Sequence, residues 1–225
     1  MRLRPNGRAI ETAAVRVPAA ELAPLRAGPP GSLYGGFRFR APVWRAGRRV
    51  YTKAADDLVG VFSVCATALN LFRRRRPSPP PFIGLLTRAE EVGFVGAIGH
   101  FELGWVQAAR RPVVCVSLEA SRTLPGAAVG KGPVVRLGDW RTVFSPDGIQ
   151  VLAGVAQRVL PGRHQRRIMD GGACEATAAT AYGVPAIGIS VPLGNYHNEG
   201  YEGGPDCRGP RGPAPEFVHL DDVRG

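Results

Sequence analysis

The chain is short of several features that would assign its class at once. Four cysteines, Cys65, Cys115, Cys174 and Cys207, are scattered through 225 residues with no CxxC pair, which argues against a disulfide framework or a cysteine-rich zinc module. There is no secretory-type apolar segment near Met1, so a reducing cytoplasm is the expected setting. Cys65 and Cys115 lie in apolar stretches and are expected to behave as small buried hydrophobes. No apolar run approaches the length of a transmembrane helix, so no membrane partner is expected. Aromatic residues are missing from the one concentrated basic run, "RRRRPSPPP" at residues 73–81. Without them there is nothing on which bases could stack. The run reads instead as a helix end, where cations suit the C-terminal dipole, followed by a Pro-rich loop. A net charge of +11 therefore does not imply a nucleic-acid partner.

What is present is the composition of a globular α/β protein: 44% apolar residues, with 30 glycines and 21 prolines marking many turns. This length suffices for one domain with a sizeable core, with or without a small appendage. Residues 1 to about 50 carry short alternating runs such as "AAVRV" and "GGFRFRAPVW", broken by "RAGPPGS", and read as a few short strands joined by turns. In "KAADDLVGVFSVCATALNLF" the apolar residues Leu58, Val61, Phe62, Cys65, Leu69 and Phe72 recur at helical spacing. That places Asp56 and Asp57 at the mouth of a helix of about four turns.

Three apolar runs then read as buried strands. They are "PFIGLLT" before Glu90, "PVVCVSL" ending at Glu119, and "VPAIGISV" running into a loop with His197. "GIQVLAGVAQRVL" and "EATAATAYG" between them read as helices, the second stopped by Gly183. Strands alternating with helices predict a mostly parallel sheet, with ligands outside the carboxyl ends of its strands.

Glu90, Glu91, Glu119, His197, Asp56 and Asp57 would then share one rim. Carboxylate oxygens and imidazole nitrogens suit divalent metals, and two ions can share a bridging carboxylate. The same residues also have a purely structural reading. Asp56 and Asp57 would cap a helix, Glu90 and Glu91 would open the next one, and Glu119 and His197 would sit in ordinary loops.

The words "TKAADDLVGV", "TRAEEVGFVGA", "VSLEASRTLPGA" with "GKGPVVRLGD", and "VPAIGISVPLGNYHN" occur in this order. Together they resemble the glutamyl and deblocking (tetrahedral) aminopeptidases, a family of two-zinc metallopeptidases. The likeness covers most of residues 12–222, and "RVPAAELAPLRAG" is similar to the family's small inserted β-barrel.

The resemblance implies a zinc-exopeptidase-like α/β fold, with a mixed, mostly parallel sheet flanked by helices. It implies a partial β-barrel over 1–48 and an incomplete catalytic domain over 49–225. By the same resemblance Asp56 bridges two divalent ions, with Asp57 behind it. Glu90 is the general base, Glu91 and His197 hold one ion, and Glu119 holds the other. Zinc is expected, with cobalt or manganese also suited to such ligands. In "MDGGACEATA", where the family has a Gly-rich run near the substrate, Gly172 and Glu175 are the expected substrate contacts. The other reading there is a Gly turn opening an Ala-rich helix.

The family's upstream metal-binding His followed by Asp has no counterpart in this sequence. The expectation is therefore a chain truncated at both ends, with one complete metal site and one incomplete. The implied activity is removal of N-terminal residues from peptides by metal-activated water, with homo-oligomers formed through the barrel. The alternatives are an inactive metal-binding remnant and a related zinc amidohydrolase acting on small acylated substrates.

Overall fold

A computed structural model describes residues 2–3, 10–12, 14, 16–29, 35–74, 81–106, 108–209 and 212–224. The chain divides into two compact units, Met1–Phe37 and Arg38–Gly225. In the first, β1 (Arg2–Leu3) and β2 (Ile10–Thr12) pair antiparallel, and α1 (Ala19–Ala27) follows. A helix here departs from the expected strands and turns. Its sequence, AAELAPLRA, consists largely of strong helix formers, and no alternation competes with them. The run "AAVRV" lies partly outside the described residues.

The second unit opens with a hairpin, β3 (Val43–Ala46) and β4 (Arg49–Thr52). The domain boundary expected at residue 48 falls in the turn of this hairpin. Strand β4 also pairs antiparallel with β9 (Glu216–His219). Tyr51 of β4 is buried between Trp44 and Phe217, with ring centroids 5.3 and 5.2 Å away.

The main sheet contains β5 (Cys115–Arg122), β6 (Val134–Asp139), β7 (Gln165–Met169) and β8 (Ala186–Leu193), in the order β5-β8-β6-β7. The β5–β8 and β6–β7 ladders are parallel and β6–β8 is antiparallel, which gives the mixed, mostly parallel sheet. Helices α2 (Ala55–Arg73), α3 (Val95–Glu102), α4 (Pro146–Val159) and α5 (Glu175–Ala181) flank it, and a short α6 (Leu220–Val223) follows β9. Helix α4 begins on Ser145, whose hydroxyl accepts from the Gly148 amide, with Pro146 in the first turn. Gly183 terminates α5 at a φ of +75°.

One core joins α3 and α5 to β8 through Phe101, Phe144, Ala179 and Ala186. Another joins α2, β5, β8 and β9 through Val59, Ala120, Leu193 and Val218.

Four expectations are corrected. "PFIGLLT" forms no strand: residues 81–87 pair with no ladder, and Phe82, Ile83, Leu85 and Leu86 are exposed. An apolar run becomes a strand only where a neighbour satisfies its amides and carbonyls, and among the described residues β5 is paired with β8 alone. Glu119 lies inside β5 rather than at its end, because the parallel ladder continues to the Arg122–Leu193 pair. Cys65 is exposed, since α2 buries only Ala55, Val59 and Gly60, and Cys115, at the start of β5, is half-buried. Helix α2 is also long and apolar enough, by length and composition alone, to cross a membrane, although its buried residues are packed on the sheet. The basic run's residues 75–80 lie outside the described residues.

Gly194 shows how tightly β9 seats. A Cβ built there would lie 2.1 Å from the Phe217 ring. Gly194→Ala is therefore expected to lower stability by about 1–3 kcal/mol, the usual cost of overpacking, as read from urea unfolding midpoints.

Candidate metal centre and its cavity

Asp56 and Asp57 begin α2, joined by a cis peptide and with non-helical backbone angles. Their side chains point to different surroundings. The Asp57 carboxylate accepts from the Gly60 amide at 3.0 Å and so caps the helix, as the structural reading of that residue anticipated. Asp56 faces His197 and Glu91. His197 Nε2 lies 3.7 Å from Asp56 Oδ2 and 3.6 Å from Glu91 Oε2, and one donor atom of each residue lies within 4.8 Å of the others. These separations are long for direct hydrogen bonds. They are close to the roughly 3.4 Å that separates two ligands of a tetrahedral zinc bonded at about 2.0–2.1 Å. The donor set thus fits a divalent ion.

His197 sits in a 3-10 turn, Tyr196–Asn198, which follows β8. Tyr196 stacks on its imidazole, with centroids 3.8 Å apart. Burial first, and the surrounding acids second, raise the Tyr196 phenol well above its ordinary range.

Glu90 precedes Glu91 in a turn closed by the Gly93 and Phe94 amides, both donating to the Glu90 carbonyl. Its side chain belongs to a second group, with donor atoms of Glu90, Glu119 and Glu175 within 4.8 Å of one another. Glu119 is therefore gathered with Glu90 and Glu175 rather than with Asp56, Glu91 and His197. Ser117 Oγ donates to Glu119 at 3.4 Å, and an Arg136 nitrogen lies 3.9 Å from it. Glu175, at the start of α5, accepts from the Thr87 hydroxyl at 2.8 Å.

A cavity of about 390 Å³ adjoins both groups, lined by Asp56, Glu90, Glu91, Glu119, Arg136 and Tyr196 among others. Gly172 also lines it, and the Gly172 carbonyl accepts from the Trp140 amide at 2.9 Å. Buried Asp139 holds this wall together. It accepts from the Arg141 and Thr142 amides on one oxygen, and from the Cys174 amide and Thr177 hydroxyl on the other. Cys174 is fully buried and its thiol is pushed up to about 12 by desolvation, which makes it a poor nucleophile. Residues after β5 and β8 line the cavity as expected of strand ends. Trp140 and Gly172 enter it from β6 and β7, which run the opposite way.

Two contributors left no recognisable signal in the sequence. Glu216 on β9 accepts from the Asp56 amide at 3.0 Å and so holds the first turn of α2 in place. A lone acid in "APEFVHL" offered only its apolar surroundings as a clue. Arg136, in "GKGPVVRLGD", is 2% exposed and was indistinguishable from the other arginines.

The acids share one electrostatic condition. Desolvation, followed by repulsion from Glu91, Glu216, Asp57 and Glu90, raises Asp56 to about 9. Desolvation raises Asp57 to about 7 against the Gly60 hydrogen bond, and raises Glu90 to about 7 with help from Glu175 and Glu91. Burial lifts Glu119 well above the carboxylate range against the opposing pull of Arg136, and lifts Glu216 to about 7.

A family model for M42 glutamyl aminopeptidases matches residues 34–201, and the chain belongs to that family. No curated protein matches it. Among solved structures, a TET aminopeptidase from a marine-sediment Thaumarchaeota archaeon is 22% identical, with a TM-score of 0.62 over 81% of this chain and 48% of its own. The Pyrococcus horikoshii TET1 peptidase is 20% identical, with a TM-score of 0.57 over 78% and 47%. Aminopeptidase I from Clostridium acetobutylicum is 17% identical, with a TM-score of 0.56 over 80% and 44%. These likenesses show the fold, and this chain spans about half the length of each of those proteins.

The raised acids set the pH dependence of the metal-free chain. Unfolded carboxyls release their protons near pH 4, whereas Asp56, Asp57, Glu90 and Glu216 hold theirs to about 7–9 when folded. Their contribution to stability is complete below about pH 4 and is lost as the pH rises through 7 to 9. Without metal, the melting temperature is expected to fall between about pH 5 and pH 9. Zinc added at pH 8 should restore it, by about 2.7 kcal/mol at a hundredfold excess over Kd.

Proposed function

We propose that this chain is a metal-dependent aminopeptidase that removes residues one at a time from the N-termini of peptides. The observation that carries this reading is the convergence of Asp56, Glu91 and His197, with Glu90 beside them on the wall of one cavity. Asp56, Glu91 and His197 would hold a divalent ion, with zinc favoured by two carboxylates and an imidazole, and cobalt or manganese as substitutes. Bound there, such an ion supplies Lewis acidity and lowers the pKa of water.

The remaining tasks fall to the chain's own groups. Glu90, held at about 7 by burial and its acidic neighbours, is matched to taking a proton near neutral pH and giving it to the leaving amine. Glu175, which accepts from the Thr87 hydroxyl, would meet the free ammonium of a peptide. Gly172 forms part of the wall along which the peptide backbone would lie.

Homo-oligomerisation is proposed as well. The P. horikoshii TET1 peptidase is described as assembling into a tetrahedron or a large octahedral shell, and α2 and residues 81–87 expose Phe62, Phe72 and Ile83 here. A cytoplasmic setting remains part of the proposal.

The test is to load the purified chain with Zn²⁺ or Co²⁺ and follow a peptide series by mass spectrometry. Stepwise loss of N-terminal residues is expected, while release of acyl groups from small acylated amino acids, or no reaction at all, would refute the reading. Glu90→Gln is expected to keep its metal and lose about 10²–10⁴-fold in kcat, the usual share of a general base, as measured by steady-state kinetics alongside metal content.

A further inference from the structure

Arg136 is an unusual installation. It is 2% exposed, sits on β6 within the main sheet, and lines the same cavity as the carboxylates. Room has been made for it. Its cross-strand partner on β8 is Gly188, and a Cβ there would lie 2.9 Å from Arg136 Cδ and 2.8 Å from the Phe144 ring. The guanidinium lies 5.9 Å from the Phe144 centroid. One terminal nitrogen lies 3.9 Å from Glu119 and donates to Ser121 Oγ at 3.5 Å, while Nε has no hydrogen-bond partner among the described residues. A fixed cation with unused hydrogen-bonding capacity therefore stands beside Glu119, within the group that also contains Glu90 and Glu175.

We infer that this chain binds a single divalent ion, at Asp56, Glu91 and His197, and that the Arg136 guanidinium stands in for a second cation by balancing Glu119 and its neighbours. The inference rests on reading the first group as a metal centre. Two features support it. Glu119 is turned toward Arg136 and Ser117, and it shares donor proximity with Glu90 and Glu175 rather than with Asp56. A dication among Glu90, Glu119 and Glu175 would face a permanently charged guanidinium whose side chain is 2% exposed, where repulsion is screened less than at the surface. Arg136 cannot relieve that repulsion by losing its proton. Glu119 is accordingly a positioning residue held by Arg136 and not a metal ligand.

The experiment is a titration of the metal-free full chain with Co²⁺, followed by its visible absorption and by native mass spectrometry. The parent chain is expected to saturate at about one equivalent, and saturation at two equivalents overturns the inference. Arg136→Met removes the built-in cation and is expected to take up a second equivalent, so a variant that folds and still binds one also overturns it. Should Arg136→Met fail to fold, Glu119→Gln decides. It is expected to keep the parent's single ion with the parent's affinity, and loss of an ion or a tenfold weaker affinity would identify Glu119 as a ligand. Failure of the underlying reading looks different: a parent chain that binds no Co²⁺, or a His197→Ala variant that binds it as well as the parent, removes the metal centre itself. Two equivalents together with peptide hydrolysis removes only the role given to Arg136.

Discussion

Seven carboxyl groups, those of Asp56, Asp57, Glu90, Glu91, Glu119, Glu175 and Glu216, are drawn together, and their desolvation, reinforced by mutual repulsion, governs the rest of the site. Removing an ionised carboxylate from water is expensive unless a countercharge or donor replaces the solvent. Among the described residues Arg136 is the only buried basic side chain. Protonation or a bound cation must supply the remaining neutralisation, which is why burial and like charge together carry Asp56 to about 9. A chain with no use for a cation would gain stability by replacing several of these acids.

The chain's other buried acids show what a structural carboxylate looks like. Asp222 accepts from the Gly130 and Gly132 amides, both at 2.7 Å, and so ties α6 to the loop before β6. Asp139 accepts from three amides and a hydroxyl. Backbone donors of this kind satisfy a buried carboxylate without any ion. Asp56 and Glu91 are instead set against each other and an imidazole. The difference in donor supply, more than the number of acids, separates a site from a brace.

Asp56, Glu91 and His197 were legible in the sequence because each is adjacent to a recognisable structural transition: Asp56 at a helix start, Glu91 in a Gly-rich turn, His197 after a buried strand. Strands β5 and β8 and helices α2, α4 and α5 followed from apolar period and Gly stops. What escaped depends on pairing across the chain. "PFIGLLT" has the composition of a strand, but composition cannot supply a neighbour. The reversal of β6 against β8, which turns Arg136 toward Gly188, leaves no trace in local pattern. Glu119 stood out in the sequence as an acid following an apolar run, yet its company of Glu90, Glu175 and Arg136 is set by this long-range register.

Glu90 and Glu91 show how two adjacent residues serve different groups. In a helix or strand, neighbouring side chains diverge along a fixed geometry, and here the chain uses neither. The turn is bracketed by two non-glycine residues with left-handed backbones, Ala89 at φ +60° and Phe94 at +59°, and the opposing loop has Asn195 at +53° and His197 at +55°. Such conformations cost of the order of 1 kcal/mol or more each and persist only where surrounding contacts over-determine them. Those contacts are present. The Glu90 carbonyl accepts from two amides, and the fully buried Asn195 amide group donates to the Gly203 and Pro215 carbonyls. Strain on both sides of the Asp56, Glu91 and His197 group is thus balanced by hydrogen bonds that make no use of the acids themselves. One side-chain donor atom each of Asp56, Glu91 and His197 can then lie close to the others.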